Sequence, residues 1–216
     1  RDFVQLDPLQ GVSYEVGLKS AFFDEALQTS VALFRIEQDN LAQIDGPPIT
    51  RPGFALPFQP YRAADGVVSE GFEVEATGSP LPNWNVNVGY SQFKARDAAG
   101  NDANTDQPRR LLKAFTTYTV PDVLGGLTIG GGANYRSAAY SNGTVPGTTP
   151  ALPFRFEQGG FLVVNLMARL AVTDRVSVQA NVDNVLDKTY FSQVGNFSQY
   201  RYGRPRNFTV GANYRF

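Results

Sequence analysis

Glu73 and Glu75, two residues apart in "EGFEVEATG", are the nearest thing in this sequence to a catalytic pair. Alternate residues of a strand share a face, so the two carboxylates could divide acid and base work. The same spacing suits two solvated side chains that line a polar face, together with Lys19, Lys113, Arg136 and Arg169. The composition favours that second reading. With His 0 and Cys 0, the chain has neither the commonest metal ligand and general base nor a thiolate nucleophile. "DAAGNDANTDQ" (97–107) has the look of a calcium loop but lacks the EF-hand spacing and its closing glutamate. "GGLTIGGGANY" (125–135) is glycine-rich, yet no helical pattern follows it to cradle a phosphate. Gly130, Gly131 and Gly132 fall mid-strand, where sheet curvature or close packing accounts for them. A net charge of −1 argues against nucleic acid and against an acidic lipid surface as partners. No catalytic residue and no metal site are expected.

Recognition is better supplied. "IDGPPITRPGFALPFQPYRAADG" (44–66), "YSNGTVPGTTPALPFRFEQGG" (140–160) and "YFSQVGNFSQYRYGRPR" (190–206) set rings and arginines on proline-stiffened loops. Phe54, Phe58, Tyr61, Tyr140, Phe154, Phe156, Phe197, Tyr200, Arg201 and Tyr202 are the candidate ligand contacts. Such side chains capture an anionic or aromatic-bearing chelate by stacking and charge. They could equally pack the loops against one another, and the sequence leaves both readings open.

What holds these loops reads in twos almost throughout. Nine strands are predicted. They are "GVSYEVGLKSAFF", "LQTSVALFRIEQ", "EGFEVEATG", "WNVNVGYSQF", "RRLLKAFTTYTV", "LTIGGGANYR", "FLVVNLMARLAV", "VSVQANVDNV" and "NFTVGANYRF". The second has an ambiguous phase, because both its faces are fairly apolar. In the seventh, Leu162, Val164, Leu166, Ala168 and Leu170 stand opposite Asn165 and Arg169. A slip of one residue exchanges the faces. In a membrane that slip would set Arg169 in lipid, at roughly 2–4 kcal/mol near the midplane.

Mean hydropathy is −0.24 and no apolar run approaches the length of a membrane helix. With Gly 21, Tyr 10 and Phe 16, two classes fit: a soluble sandwich, or a membrane barrel whose lipid face is diluted by a polar interior. The connections decide between them. Short turns ("FDEA", "SPLPN", "PDVLGG", "TDR") alternate with long loops (Asp39 to Val67, Asp97 to Gln107, Ser137 to Gln158, Asp187 to Arg204). This is the wiring of an all-β, transmembrane, antiparallel up-and-down barrel, and Greek-key sandwiches do not alternate so strictly. Phe22, Phe23, Trp84, Tyr118 and Tyr190, at strand ends, are the expected aromatic girdle. Single-chain barrels have an even number of strands, and an open sheet would leave two edges in lipid. Residues 1–216 are therefore expected to be the C-terminal part of one larger barrel domain. The absence of a leading methionine or signal peptide at Arg1 fits that expectation.

"YEVGLKSAFFDEALQTSVALFRIEQDN", "SEGFEVEATGSPLPNWNVNVGYSQFKAR", the N-V-L-D-K-x-Y run at Asn184–Tyr190 and the Y-G-x-P-R-N-F run at Tyr202–Phe208 closely resemble the C-terminal barrel of TonB-dependent siderophore receptors. Within that family the chain looks most like receptors for ferric hydroxamate-type siderophores, the coprogen and pyoverdine group. The resemblance implies a 22-stranded barrel of a Gram-negative outer membrane, closed by an N-terminal plug. This chain would then supply about its last nine strands. The resemblance also implies a ferric siderophore as ligand, iron carried only in that form with no resident cofactor, and TonB engaged through a region outside this sequence. Two alternatives stay open: a passive porin, or a TonB-dependent receptor for a vitamin, heme or carbohydrate. The lack of histidine in the loops speaks against heme. Phe208, Val210, Ala212, Tyr214 and Phe216 resemble the terminal signal read by the barrel-assembly machinery, and would mark a true C-terminus. The other reading of Phe216 is an anchor at the inner interface. In a bacterial surface protein the Asn142, Asn196 and Asn207 triplets are poor glycosylation sites.

Overall fold

The computed structural model describes residues 5–50, 52–53, 57–64, 66–121, 123, 125–145, 147–196 and 199–216. No helix occurs among them. The strands are β1 (Gln10–Phe22), β2 (Leu27–Asp39), β3 (Leu41–Ile44), β4 (Tyr61–Ala64), β5 (Val68–Leu81), β6 (Trp84–Arg96), β7 (Arg110–Val120), β8 (Leu127–Arg136), β9 (Ala139–Thr144), β10 (Pro153–Gln158), β11 (Phe161–Ala171), β12 (Val176–Asp183), β13 (Phe191–Asn196), β14 (Gln199–Tyr202) and β15 (Asn207–Tyr214). They fall into two compact units. The larger comprises Gly17–Ala32, Phe72–Gln92 and Thr105–Phe216. The smaller comprises residues up to Val16, Leu33–Gly71 and Phe93–Asn104.

The principal sheet has the strand order β1-β2-β5-β6-β7-β8-β11-β12-β15. These nine strands are the nine predicted ones, each beside its neighbour in the meander. Cross-strand register shows that the alternation is collective. Trp84, Tyr118, Ile129, Ala168, Ala180 and Val210 lie on one line of paired residues. Val86, Thr116, Gly131, Leu166, Val182 and Phe208 lie on the next line of the same face. Between them, on the opposite face, run Asn85, Thr117, Gly130, Met167, Asn181 and Thr209. Across the middle of these six strands the apolar side chains, Met167 and Phe115 apart, share one face, as one lipid-facing wall requires.

That apolar face is bare. Leu166 is 49% exposed, Phe208 69% and Val210 73%. A sandwich would cover such a face with a second sheet, and an aqueous monomer does not leave a patch of this size open. The residues in β2 that periodicity left ambiguous are placed by one contact. Ser30 Oγ donates to Glu75 Oε2 at 3.5 Å, on the face where Asn87 reaches Thr77 and Ser79 reaches Asn85. Val31, 45% exposed, therefore belongs to the apolar face.

The mid-strand glycines serve close packing. A Cβ on Gly130 would stand 2.8 Å from Thr117 Cγ2 and 3.1 Å from Met167 Cγ, and one on Gly132 would stand 3.1 Å from Phe115 Cδ2. The missing side chains make room for Met167 and Phe115 to lie down on an otherwise polar face. At the short-turn end, Gly78 has φ +145 and a Cβ there would run into the Ala26 carbonyl. The adjacent Ser79 N–H donates to that carbonyl at 2.6 Å, starting the β2–β5 pairing.

Three hairpins were not legible as strands: β3–β4 in the smaller unit, and β9–β10 and β13–β14 in the larger one. Each lies within a long connection. Their strands are four to six residues long, and β9, β10 and β13 carry proline, glycine or asparagine. With neither side turned to lipid, they carry no strict alternation. Two predicted ends also move. β12 stops at Asp183 because Asn184 takes a left-handed φ of 52. β15 stops at Tyr214, and Phe216 lies beyond it, edge-on to Tyr214 at 5.2 Å. β1 and β15 are the two edges of the sheet.

Candidate functional site

The loops that could meet a ligand are rooted in the connection between β12 and β15. Asn184 is 2% exposed, and a buried amide must satisfy both its ends. Its Oδ1 accepts the Lys188 N–H at 2.9 Å, and its Nδ2 donates to the Lys188 and Arg204 carbonyls at 2.9 and 3.0 Å. Its own N–H donates to Asn165 Oδ1 on β11 at 2.8 Å. Asp187, also left-handed with φ 49, accepts the Arg206 N–H at 3.0 Å and pairs with the Arg206 guanidinium at 3.3 Å. The N-V-L-D-K-x-Y and Y-G-x-P-R-N-F runs are thus two halves of one clasp. Gly203 completes it. The Tyr190 ring occupies the space that a Cβ on Gly203 would take, and the same ring stacks on Phe161 at 4.3 Å.

Above the clasp stand hairpins β9–β10 and β13–β14, and several candidate contacts meet between them. Phe156 lies 4.2 Å from Tyr200 and 4.9 Å from Phe191, while Phe191 stacks on Tyr202 at 4.4 Å. Beneath these rings a polar cavity of about 200 Å³ is lined by Arg136, Gln158, Phe161, Phe191 and Val194, among others. Arg136 Nη1 donates to the Ser192 carbonyl at 3.0 Å, and Gln158 Oε1 accepts the Phe191 N–H at 2.8 Å. In β9–β10, the Arg155 guanidinium covers the Tyr140 ring at 3.5 Å and pairs with Glu157 at 3.2 Å.

The sequence-predicted contacts therefore separate. Phe156 and Tyr200 have faces engaged by other rings, and Tyr140 is capped by Arg155. Tyr202 keeps 65% exposure and Phe154 39%, and Arg201 is exposed. Phe58 and Tyr61 belong to the smaller unit. There Phe58 exchanges backbone hydrogen bonds with Ile49, and Tyr61 is 53% exposed. Phe54 and Phe197 lie outside the described residues. Periodicity offered no hint of Asn165 and Gln158 as structural partners, and it assigned Arg136 to lumen lining alone. Polarity within or at the end of a strand was the only available signal.

The remaining groups keep to their faces. Trp84 and Tyr118 pair across β6 and β7, with Trp84 Nε1 donating to Thr116 Oγ1 at 2.7 Å. Phe22 and Phe23 are 50% and 65% exposed. Tyr190 differs from these four, being held within the clasp. Lys113, Asn134, Asn165, Gln179 and Asp183 line a polar depression of about 330 Å³. Glu75 meets Ser30 rather than a second acid. In the 97–107 loop, Asp97 accepts the Asn101 N–H at 2.8 Å and the Ala99 N–H at 3.0 Å. Together with the Asn101 side chain, these bonds hold its carboxyl below the usual range.

Residues 3–185 match the family described as TonB dependent receptor-like, beta-barrel. The ferripyoverdine receptor of Pseudomonas aeruginosa is 33% identical over 214 residues, covering 98% of this chain and 26% of that receptor. The catecholate siderophore receptor Fiu of Escherichia coli K12 is 28% identical over 222 residues, covering 97% of this chain and 26% of Fiu. The crystal structure of the P. aeruginosa receptor bound to ferripyoverdine superposes with a TM-score of 0.85 at 33% identity, over 97% of this chain and 27% of that one. The chain thus spans about a quarter of the length of these relatives. A bare apolar face, a polar opposite face and short turns alternating with long hairpin-bearing loops are what such a barrel wall requires, and the chain belongs to the TonB-dependent receptor β-barrel family.

Proposed function

We propose that the chain is the C-terminal wall of an outer-membrane receptor that binds a ferric siderophore from outside a Gram-negative cell and imports it. The observation that carries this reading is the pairing of a lipid-facing sheet with a crown of ring- and arginine-bearing hairpins at its long-loop end. A passive pore needs the first but gains nothing from the second. Relatives named for pyoverdine and for catecholate siderophores support a ferric chelate as cargo. Exposed Arg201 and Tyr202 suit its negative charge and flat ligand groups. The chain acts as a receptor rather than an enzyme, with iron as cargo inside its chelator.

Energy coupling to TonB and closure of the lumen fall to residues outside this sequence. β1 and β15 would pair with further strands of the same barrel, since open edges are not tolerated in lipid. The last strand would engage the assembly machinery through Phe208, Val210, Ala212, Tyr214 and Phe216. The test is equilibrium binding of a panel of ferric hydroxamates and catecholates to the full-length receptor, with uptake of radiolabelled iron in cells with and without TonB. Saturable binding of at least one ferric siderophore and TonB-dependent uptake are expected. A receptor that binds none, or uptake indifferent to TonB, would overturn the reading.

A further inference from the structure

We infer that hairpins β9–β10 and β13–β14 form one preassembled body, and that Arg136 and Gln158 are positioning residues that set it over the lumen without touching the ligand. The inference rests on the receptor reading for its consequence, though not for its geometry. Two ring contacts join the hairpins, Phe156 of β10 against Phe191 of β13 and against Tyr200 of β14, and a third, Phe191 against Tyr202, closes the base of β13–β14. Rings at 4.2–4.9 Å gain from both burial and quadrupole geometry, so they favour a single arrangement.

Two side chains of different strands fix β13, Arg136 from the wall below the body and Gln158 from the base of the neighbouring hairpin. Arg136, the last residue of β8, donates to the Ser192 carbonyl, and Gln158, the last residue of β10, accepts the Phe191 N–H. Both reach backbone groups at the start of β13, where its pairing with β14 begins. Ser192 Oγ continues the tie by donating to the Arg201 carbonyl at 3.0 Å, next to the exposed Arg201 and Tyr202 side chains. A ligand gripped by those side chains would meet them already in place. The ordering cost, usually met on binding by flexible loops, would already be met in the free protein.

The experiment measures spin-label distances in the full-length receptor between Thr144→Cys in β9 and Gln193→Cys in β13, in bilayers, with and without ferric hydroxamate and ferric catecholate siderophores. A single narrow distribution that ligand leaves unchanged is expected. Arg136→Met with Gln158→Met should broaden it. Arg136→Lys with Gln158→Glu, which keep the donor and the acceptor, should restore it. In unlabelled receptor the methionine pair should speed chelate release roughly tenfold, about the effect of losing one net hydrogen bond's worth of preorganisation. A broad or ligand-narrowed distribution in the parent protein overturns the inference, as does an unchanged distribution in the methionine pair. Failure of the lysine–glutamate pair to restore the distribution, or unchanged release from the methionine pair, also overturns it. Failure of the parent receptor to bind any chelate would instead overturn the receptor reading, because the distances need no ligand.

Discussion

Replacing Asn184 tests the clasp at its centre. The side chain makes three hydrogen bonds, to the Lys188 N–H and to the Lys188 and Arg204 carbonyls, from a site that is 2% exposed. Asn184→Ala leaves one donor and two acceptors without their partner. Each group so stranded costs about 1 kcal/mol, the low end of the range, because Lys188 and Arg204 are themselves exposed. Alanine must also hold a φ of 52, which costs it roughly 1–2 kcal/mol. The sum is about 4 kcal/mol.

Asn184→Asp keeps the acceptor for Lys188 but turns a carboxylate toward two carbonyls. That surrounding favours its protonated form, so its folded pKa rises above the unfolded value. The stability it restores is then present below the unfolded pKa and is lost as pH rises through the folded one. Urea unfolding of the full-length receptor in vesicles, with heat-modified gel mobility as a second readout, measures both variants. Asn184→Ala should lower stability by about 4 kcal/mol independently of pH. Asn184→Asp should be comparably weak at neutral pH and recover as the medium is acidified. A loss below about 1 kcal/mol in both, the size of one exposed hydrogen bond, would refute the clasp.

Gly203→Ala should expel Tyr190 from its stack on Phe161 and lower the same unfolding midpoint, whereas Gly211→Ala, with open space around its Cβ position, should not. Ala168→Arg on the apolar face should cost roughly 2–4 kcal/mol near the bilayer midplane, while Thr209→Arg on the polar face, opposite Asn181, should fold with parental stability in the same vesicles. Phe216→Ala should reduce the amount of assembled receptor in outer membranes, measured by heat-modified mobility; an unchanged yield counts against an assembly role for that ring. Asp97, its carboxyl lowered by the Asn101 amide and side chain, should stabilise its loop at all pH values above the ordinary 3.8. That stabilisation should fade only as pH falls through the lowered value. Asp97→Ala should loosen the loop at neutral pH, read as faster amide exchange at Asn101.

The two-faced wall was legible because each strand reports its own phase. Arg169 and Asn165 face away from Leu166 and Ala168 on chemistry alone, and the register then aligns six strands on that rule. In β2 the same logic stalls, since Val31 and Leu33 are no more apolar than Ala32 and Phe34 together. A single contact between Ser30 and Glu75, forty-five residues apart, settles the phase. The aromatic loops were legible as rich in rings and arginines, but not in how those rings are arranged. Phe156 and Tyr202 look alike in the chain, yet the first is half-buried against two rings and the second is 65% exposed.

The sequence by itself determined the meander, its lipid and lumen faces, and the end at which the long loops stand. Those properties follow from a period of two and from the cost of charge in lipid, which act on one strand at a time. Tertiary structure alone decided that Asn184 and Asp187 grip Arg204 and Arg206, and that two hairpins share one aromatic core. It also decided which rings remain free for a ligand. Such contacts depend on where separate hairpins are brought together, a distance that no local periodicity encodes.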